Sequence, residues 1–335
     1  MLENELLYEM QNAFPMSQRP FQEMADRLGC SEDEVIDMVQ KLKDDKIIRQ
    51  TSAIFDTKRL GYKSSLVAFK VDEDLIESAS QIINAHPGVS HNYLRNHDFN
   101  IWFTMAVSPK SKLGLEKTIE ILQQKTGASD AIILPTLKMF KISVKMDTTG
   151  KKAKKEKVKK VNHKEIELTD EYIAVIKELQ KDISVTKEPF KEAIEKLGMS
   201  YERFFEIAHI LKDAGVMRRF ATILNHRKAG FGANAMSVWD VDESKGEEIG
   251  KRLAEFSAVS HCYLRPKYPN WPYNLFAMVH AKTQEECDEL IAQMAKENKL
   301  DKYSKLYSTV EFKKQRLVYF DDAFEKWEEE VTQTI

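Results

Sequence analysis

Cysteine is scarce in this sequence, and none of it is paired. Cys30, Cys262 and Cys287 are the three present among 335 residues, and no two have the close spacing that metal sites and redox motifs use. A disulfide framework and a cysteine-based metal site are therefore not expected. Unpaired thiols are typical of a reducing compartment, so the cytoplasm is the expected location.

Long hydrophobic runs and an excess of one charge are also absent. No apolar run approaches the ~18 residues of a membrane-spanning helix, and the acidic, amphipathic start does not have the form of a secretory signal. Lys and Arg total 51 against 53 Asp and Glu, for a net charge of -2, which gives no general attraction to nucleic acid. A hydrophobic fraction of 42% suits globular domains, and the length suits roughly two to four of them.

The sequence does contain a tandem repeat. When the two halves are superposed, HNYLR (residues 91–95) meets HCYLR (residues 261–265), and each phrase is followed by an Asn and an apolar strand. Between the halves lies a Lys-rich segment with almost no apolar residues, which indicates a solvated linker. The predicted domains are winged-helix (1–61), ferredoxin-like (62–147), linker (148–165), winged-helix (166–230) and ferredoxin-like (231–335).

Helix and strand signals support this division. Pro20 opens a short helix that Gly29 ends, and Ser31 forms a capping box with Glu34 for a helix to about Asp44. The β-branched stretch that follows is typical of a wing, and the rest of each half has the order β-α-β-β-α-β. The first half's predicted bounds for that order are 63–71, 74–86, 89–94, 100–107, 112–126 and 132–144. The predicted fold class is α+β, a tandem repeat of a winged helix-turn-helix and a ferredoxin-like domain.

The helix that would read DNA begins with acidic side chains. Glu32, Asp33, Glu34 and Asp37 occupy the turn that should enter the groove, where carboxylates repel phosphates. We therefore interpret the helix-turn-helix as a retained scaffold, with a weak DNA reader as the alternative.

Cations gather instead in the wings and at the ends of the repeated phrases. Arginine forks bind carboxylates bidentately, and nearby aromatic side chains supply flat apolar walls. The pattern predicts a flat, apolar ligand with a rim of carboxylates, although a surface salt bridge is the alternative for any single arginine. The candidate substrate-binding residues are Arg49, Lys58, Arg95, Arg218, Arg219, Arg227, Arg265, Asn100, Trp271, Tyr273 and Asn274.

The segments AIFDTKRLGY…HNYLRNHDFNIWFT and NHRKAGF…HCYLRP…WPYNLFAMVH resemble the siroheme decarboxylases. That family has the AsnC/Lrp architecture, and its two related subunits are often separate chains. The resemblance covers nearly the whole chain outside the linker, and it implies two fused subunits that form a pseudo-dimer. It also implies removal of carbon dioxide from two acetate side chains of siroheme to give didecarboxysiroheme. No organic cofactor, membrane or specific DNA partner is expected, and the iron belongs to the substrate.

Such a reaction needs a proton donor, and histidine supplies one near neutral pH. His91 and His261 are common to both halves, whereas His97 occurs only in the first phrase and His226 only in the second wing. All four are candidate catalytic residues, with His226 and His97 favoured as proton donor or as axial ligand to the substrate iron. His86, before a Pro-Gly turn, is expected to face solvent.

Two other functions fit the sequence. One is a fused AsnC/Lrp-type transcriptional regulator that senses a heme or an amino acid. The other is a heme or siroheme carrier without turnover.

Overall fold

The computed structural model describes residues 2–142, 165–225 and 233–333. These form two compact units, and each unit contains segments from both halves of the sequence. The first unit comprises the described parts of 1–62 and 156–228 together with 318–321, and the second comprises those of 63–155 and 229–317 together with 322–335. The predicted linker, apart from Glu165, falls outside the described residues, as do His226 and Arg227.

Helices and strands follow one another in an order that repeats between the halves. In chain order they are α1 (Leu2–Asn12), α2 (Pro20–Leu28), α3 (Glu32–Asp44), β1 (Ile48–Phe55), β2 (Lys63–Lys70), a 3₁₀ turn (Glu73–Leu75), α4 (Ile76–Ala85), β3 (Val89–Arg95), β4 (Ile101–Val107), α5 (Gly114–Thr126), β5 (Asp130–Leu134), β6 (Lys138–Ile142), α6 (Asp170–Leu179), α7 (Lys191–Leu197), α8 (Tyr201–Asp213), β7 (Met217–Leu224), β8 (Ala233–Trp239), α9 (Gly246–Glu255), β9 (Val259–Leu264), β10 (Leu275–Ala281), α10 (Gln284–Glu297), β11 (Tyr303–Lys314) and α11 (Ala323–Gln333). No described helix combines the length and apolarity needed to cross a membrane.

Local signals set the helix ends in the first unit. Pro20 occupies the first turn of α2, and Gly29 ends that helix in the left-handed region at φ 70°. Ser31 caps α3 by accepting a hydrogen bond from Glu34 N, while the Glu34 carboxylate accepts one from Ser31 N at 2.8 Å. These predicted ends are confirmed.

The wings of the two halves share one small sheet. Each half contributes one strand, and β1 pairs antiparallel with β7. Thr51 and Thr222 lie opposite each other, and their buried hydroxyl oxygens are 2.7 Å apart. The wing sheet is thus built between the two repeats rather than within each one.

In the second unit the two ferredoxin-like sheets are joined into nine strands, in the order β5-β2-β4-β3-β11-β8-β10-β9-β6. The first part of β11 pairs with β8 and its second part with β3, so this strand belongs to both halves. The first half's last strand was predicted as one element over 132–144, but it is divided into β5 and β6. Pro135 lacks an amide hydrogen and interrupts the ladder between them. Since β5 pairs with β2 and β6 with β9, this strand also bridges the halves.

Among the described residues, three apolar clusters fill the second unit. One lies between the sheet and helices of the first half and also includes Trp327 and Val331 of α11, and another lies between the sheet and helices of the second half. A third joins strands of both halves and contains Trp102, Trp271, Phe276 and Leu306. We call it the central cluster. The predicted α+β architecture of two repeated domain pairs is confirmed.

Candidate substrate site

The repeated phrase places three functional side chains on one face of a strand. Alternate residues of a strand point the same way, so His, Tyr and Arg of His-x-Tyr-Leu-Arg form a row. Tyr93 lies opposite Trp102 and Tyr263 opposite Phe276, and both partners belong to the central cluster. Both rows therefore lie on the face that carries that cluster. These rows, called ladders below, are His91, Tyr93 and Arg95 in β3 and His261, Tyr263 and Arg265 at β9.

The two ladders have nearly the same internal geometry. The rings of His91 and Tyr93 have centroids 6.2 Å apart at an interplanar angle of 30°, and those of His261 and Tyr263 are 6.2 Å apart at 29°. The Arg95 guanidinium lies 5.5 Å from the centre of the Tyr93 ring. Desolvation is the main reason that the pKa of Tyr93 rises to about 12, so this phenol keeps its proton at neutral pH.

The arginine ends of the ladders are buried. Arg95 is 6% exposed and Arg265 is 8% exposed. Nη1 of Arg95 donates to the carbonyl oxygen of Leu306 in the other half at 2.8 Å, and Nη1 of Arg265 donates to that of Leu134. Each guanidinium thus ties its strand to the shared last strand of the opposite half.

Neither guanidinium has an acidic partner among the described residues. The Nε groups of Arg95 and Arg265 are buried, and within that part of the chain they find no hydrogen-bond acceptor. Burial lowers both pKa values to about 10, which leaves both groups cationic at neutral pH. Buried charges without a counterion are costly, so these positions are suited to an anionic ligand.

The histidine ends of the ladders differ in their contacts. A β-bulge in each half brings a serine beside the histidine. In the first half, Ser90 Oγ lies 3.0 Å from His91 Nδ1 and 2.7 Å from Thr104 Oγ1. The equivalent serine of the second half, Ser260, contacts an imidazole instead of a threonine hydroxyl.

In the second half, Ser260 Oγ lies 2.7 Å from His261 Nδ1 and 2.6 Å from His280 Nε2. Burial, followed by the neighbouring His280 and His91, lowers the pKa of His261. Sequence reasoning did not single out His280. The signal was a lone polar residue in the apolar strand LFAMVHA, at a position where the first half has Ala106.

Several predicted site residues are already engaged in the fold. The Asn100 amide bonds to the backbone N and O of Val71 at 3.1 and 2.7 Å, and the Asn274 amide does the same at Val241. Both amides therefore have a structural role in the fold.

Trp271 was predicted to form a wall of the ligand site, but it is fully buried in the central cluster. Its ring lies 5.1 Å from those of Trp102 and Tyr273. The large apolar area of a tryptophan is used here to join the two sheets.

His97 lies in the hairpin between β3 and β4. Its Nδ1 accepts a hydrogen bond from Phe99 N at 3.0 Å, and its ring meets that of Trp271 at 5.1 Å. Burial lowers its pKa. One ring nitrogen of His97 is thus used to hold the hairpin.

His86 is buried, contrary to its predicted exposure. Its ring lies 4.3 Å from that of Trp327 in α11, and its Nδ1 accepts from Gly88 N at 2.8 Å. Burial lowers its pKa to about 3. Helix α11 lies far along the chain, and its packing over the Pro-Gly turn was not visible in the local sequence.

The wing cations belong to the first unit. Arg218 donates to Asp56 Oδ2 through Nη2 at 2.8 Å and through Nε at 3.2 Å, so its charge is matched within the wing. Arg49, Lys58 and Arg219 have exposed side chains. The predicted residues His226 and Arg227 lie outside the described residues.

Comparisons with known proteins give one consistent result. The AsnC-like ligand binding domain matches residues 59–141 and 228–313, and the siroheme decarboxylase NirDL-like HTH domain matches residues 3–49 and 173–218. The chain is 40% identical to a siroheme decarboxylase of Hydrogenobacter thermophilus, with 98% of each chain covered. It is 41% identical to a siroheme decarboxylase beta subunit of Methanosarcina barkeri, with 42% of this chain and 93% of the subunit covered. The crystal structure of the siroheme decarboxylase NirDL in complex with an iron-uroporphyrin III analogue matches with a TM-score of 0.83 and 36% identity, over 100% of this chain and 99% of that one.

Proposed function

The chain belongs to the siroheme decarboxylase family, and on this premise we propose that it removes carbon dioxide from two acetate side chains of siroheme. The product is didecarboxysiroheme, for the biosynthesis of heme or of a modified heme. The observation that carries this proposal is the pair of buried arginines, one in each half, with no acidic partner in the described residues. A macrocycle with carboxylate side chains on its rim supplies the missing counterions.

The arginines suit the carboxylates that stay on the substrate. In decarboxylation the bond between the carboxylate and the methylene carbon breaks, and carbon dioxide leaves without charge. An arginine bound to the reacting carboxylate would stabilise the ground state more than the transition state. We therefore assign Arg95 and Arg265 to carboxylates that do not react, where they fix the orientation of the macrocycle.

The remaining requirement is a proton. The electron pair left on the methylene carbon is delocalised into the macrocycle, and a proton at that carbon completes the methyl group. For this reason we propose that no organic cofactor takes part. A ladder histidine is the donor we propose. Burial lowers the pKa of His261 and so favours its neutral imidazole, which still carries a proton on one ring nitrogen.

The regulator alternative is not favoured. A relative and a solved structure that match along almost the whole chain are siroheme decarboxylases, and α3 begins with three acidic residues, Glu32, Asp33 and Glu34. Glu32 is paired with Arg19 and Asp33 with Lys187, so this turn is held by ion pairs of the protein itself. As all three cysteines are unpaired, we propose the reducing cytoplasm as the location.

The test is anaerobic incubation of the protein with siroheme, followed by mass spectrometry. Two successive losses of carbon dioxide are expected. Siroheme that binds and is recovered unchanged would indicate a carrier and overturn the proposal. Siroheme that neither binds nor reacts would overturn it as well.

A further inference from the structure

The ladder histidines occupy equivalent positions in the sequence, but the serines that contact them have different hydrogen-bond partners. In each half a bulge serine contacts Nδ1 of the ladder histidine. Ser90 also contacts the hydroxyl of Thr104, whereas Ser260 also contacts the imidazole of His280. A hydroxyl keeps its single proton at neutral pH, whereas an imidazole gains and loses one in that range.

The serine couples the two imidazoles of the second half. Ser260 Oγ carries one hydrogen, so it can donate to one ring nitrogen while it accepts from the other. When His261 Nδ1 is the acceptor, His280 Nε2 is the donor, and the remaining proton of His261 is on Nε2. The 2.7 and 2.6 Å contacts are short enough for protons to move along this chain of hydrogen bonds.

Such a chain solves a problem for a histidine that is neutral before it reacts. A neutral imidazole that gives up its Nε2 proton becomes an anion unless Nδ1 gains a proton at the same time. Ser260 is positioned to supply that proton and to recover one from His280. In the first half, Ser90 contacts the Thr104 hydroxyl, which does not titrate at neutral pH.

We propose that His261 is the proton-donating histidine of the two ladders and that Ser260 and His280 are positioning residues that feed it a proton. This inference rests on the proposed function. The Nε2–H bond of His261 breaks as a C–H bond forms at the methylene carbon of the substrate. The Ser260 hydroxyl proton moves to His261 Nδ1, and the Nε2 proton of His280 moves to Ser260. His280 changes from imidazolium to neutral imidazole. The three side chains together therefore lose one proton, and the substrate gains one.

The experiment is single-turnover decarboxylation of siroheme under anaerobic, saturating conditions. The variants are Ser260→Ala and His280→Gln, with Ser90→Ala as the matched control in the first half. Glutamine keeps a hydrogen-bond donor for Ser260 but does not titrate. The rate should fall by roughly 10²-fold in the first two variants, the lower range for a positioned acid. Siroheme affinity should stay at the wild-type value in all three, which also reports that they are folded.

Each other outcome overturns the inference in a distinct way. A wild-type rate in His280→Gln would show that His280 only orients its neighbours. An equal loss in Ser90→Ala and Ser260→Ala would show that the halves do not differ. A wild-type protein that binds siroheme without converting it would remove the proposed function, and the proton chain with it.

Discussion

The first and second ladders share their arginine ends but differ at their histidine ends. Arg95 and Arg265 are both buried, both donate to a carbonyl of the opposite half, and neither has an acidic partner among the described residues. The serine beside His91 contacts the hydroxyl of a threonine, whereas the serine beside His261 contacts a second imidazole. The halves thus have matching arginines, to which we assign substrate binding, and different contacts at the histidines, to which we assign proton transfer.

The largest expected effect separates the two ladder histidines. His261→Asn should slow single-turnover decarboxylation by roughly 10²- to 10⁴-fold, because it removes a positioned acid. His91→Asn should slow it by a much smaller factor, since the proton relay that we propose serves His261. Rapid-quench mass spectrometry measures both rates. Equal losses in the two variants would contradict the asymmetry, and a larger loss in His91→Asn would reverse it.

The two ladder arginines test whether the halves contribute equally to siroheme binding. Arg95→Met and Arg265→Met should each weaken siroheme binding by about 10- to 150-fold, the worth of a charge-assisted contact. The free protein should lose little stability in thermal unfolding, because the substitution also removes a buried charge without a counterion. The Arg→Lys variants are the controls, since they keep the charge but lose the fork, and they should bind with intermediate affinity.

Two observations would break this equivalence. If one arginine variant binds siroheme normally, only one half holds the substrate. If both variants unfold at much lower temperature, the guanidinium bond to the opposite strand has a mainly structural role.

A second difference between the halves concerns acid stability. His86 of the first half is buried with a pKa of about 3, and Phe256 stands at its place in the second half. The unfolded state takes up a proton near pH 6.5, whereas the folded state does not until about pH 3. The wild-type protein should therefore lose stability as the pH falls between these values.

His86→Phe should remove this loss. At neutral pH the variant should be about 1 kcal/mol less stable, because Gly88 N loses its acceptor. At about pH 4 it should be the more stable protein, since protonation of His86 in the unfolded state alone has by then cost the wild type up to ~3 kcal/mol of stability. Urea unfolding at both pH values measures the difference. A constant difference across the range would show that His86 is not buried in its neutral form.

The sequence was sufficient for features set by near neighbours along the chain. Pro20, Gly29 and Ser31 act within one or two turns, and the alternation of the repeated phrase puts His, Tyr and Arg on one strand face. Features set by distant partners were missed or misassigned. Asn100 resembled a ligand contact because the backbone of Val71, which takes up its amide, is remote in sequence. The second imidazole at Ser260 comes from another strand, so this contact became visible only in the fold.

The smallest expected effect concerns the wings. Asp56 bonds to Arg218, while its counterpart in the second half is the uncharged Asn225. Burial raises the pKa of Asp56, but the hydrogen bond from Arg218 and those from the backbone of Arg59 and Lys58 outweigh it, and the net shift is downward. A carboxylate with a lowered folded pKa contributes stability above about pH 4, and this contribution is lost as the pH falls through the folded value.

Asp56→Asn should therefore destabilise the protein at neutral pH by less than about 1 kcal/mol, since the Arg218 side chain is 45% exposed and the pair is screened by water and salt. Asparagine keeps an oxygen that can accept the two backbone hydrogen bonds of the turn, so the variant removes little besides the charge pair. Thermal unfolding should show a small decrease at pH 7 that shrinks in high salt and becomes smaller as the pH falls below about 4. A decrease of the same size at pH 3 would mean that the turn, and not the charge pair between the halves, depends on Asp56.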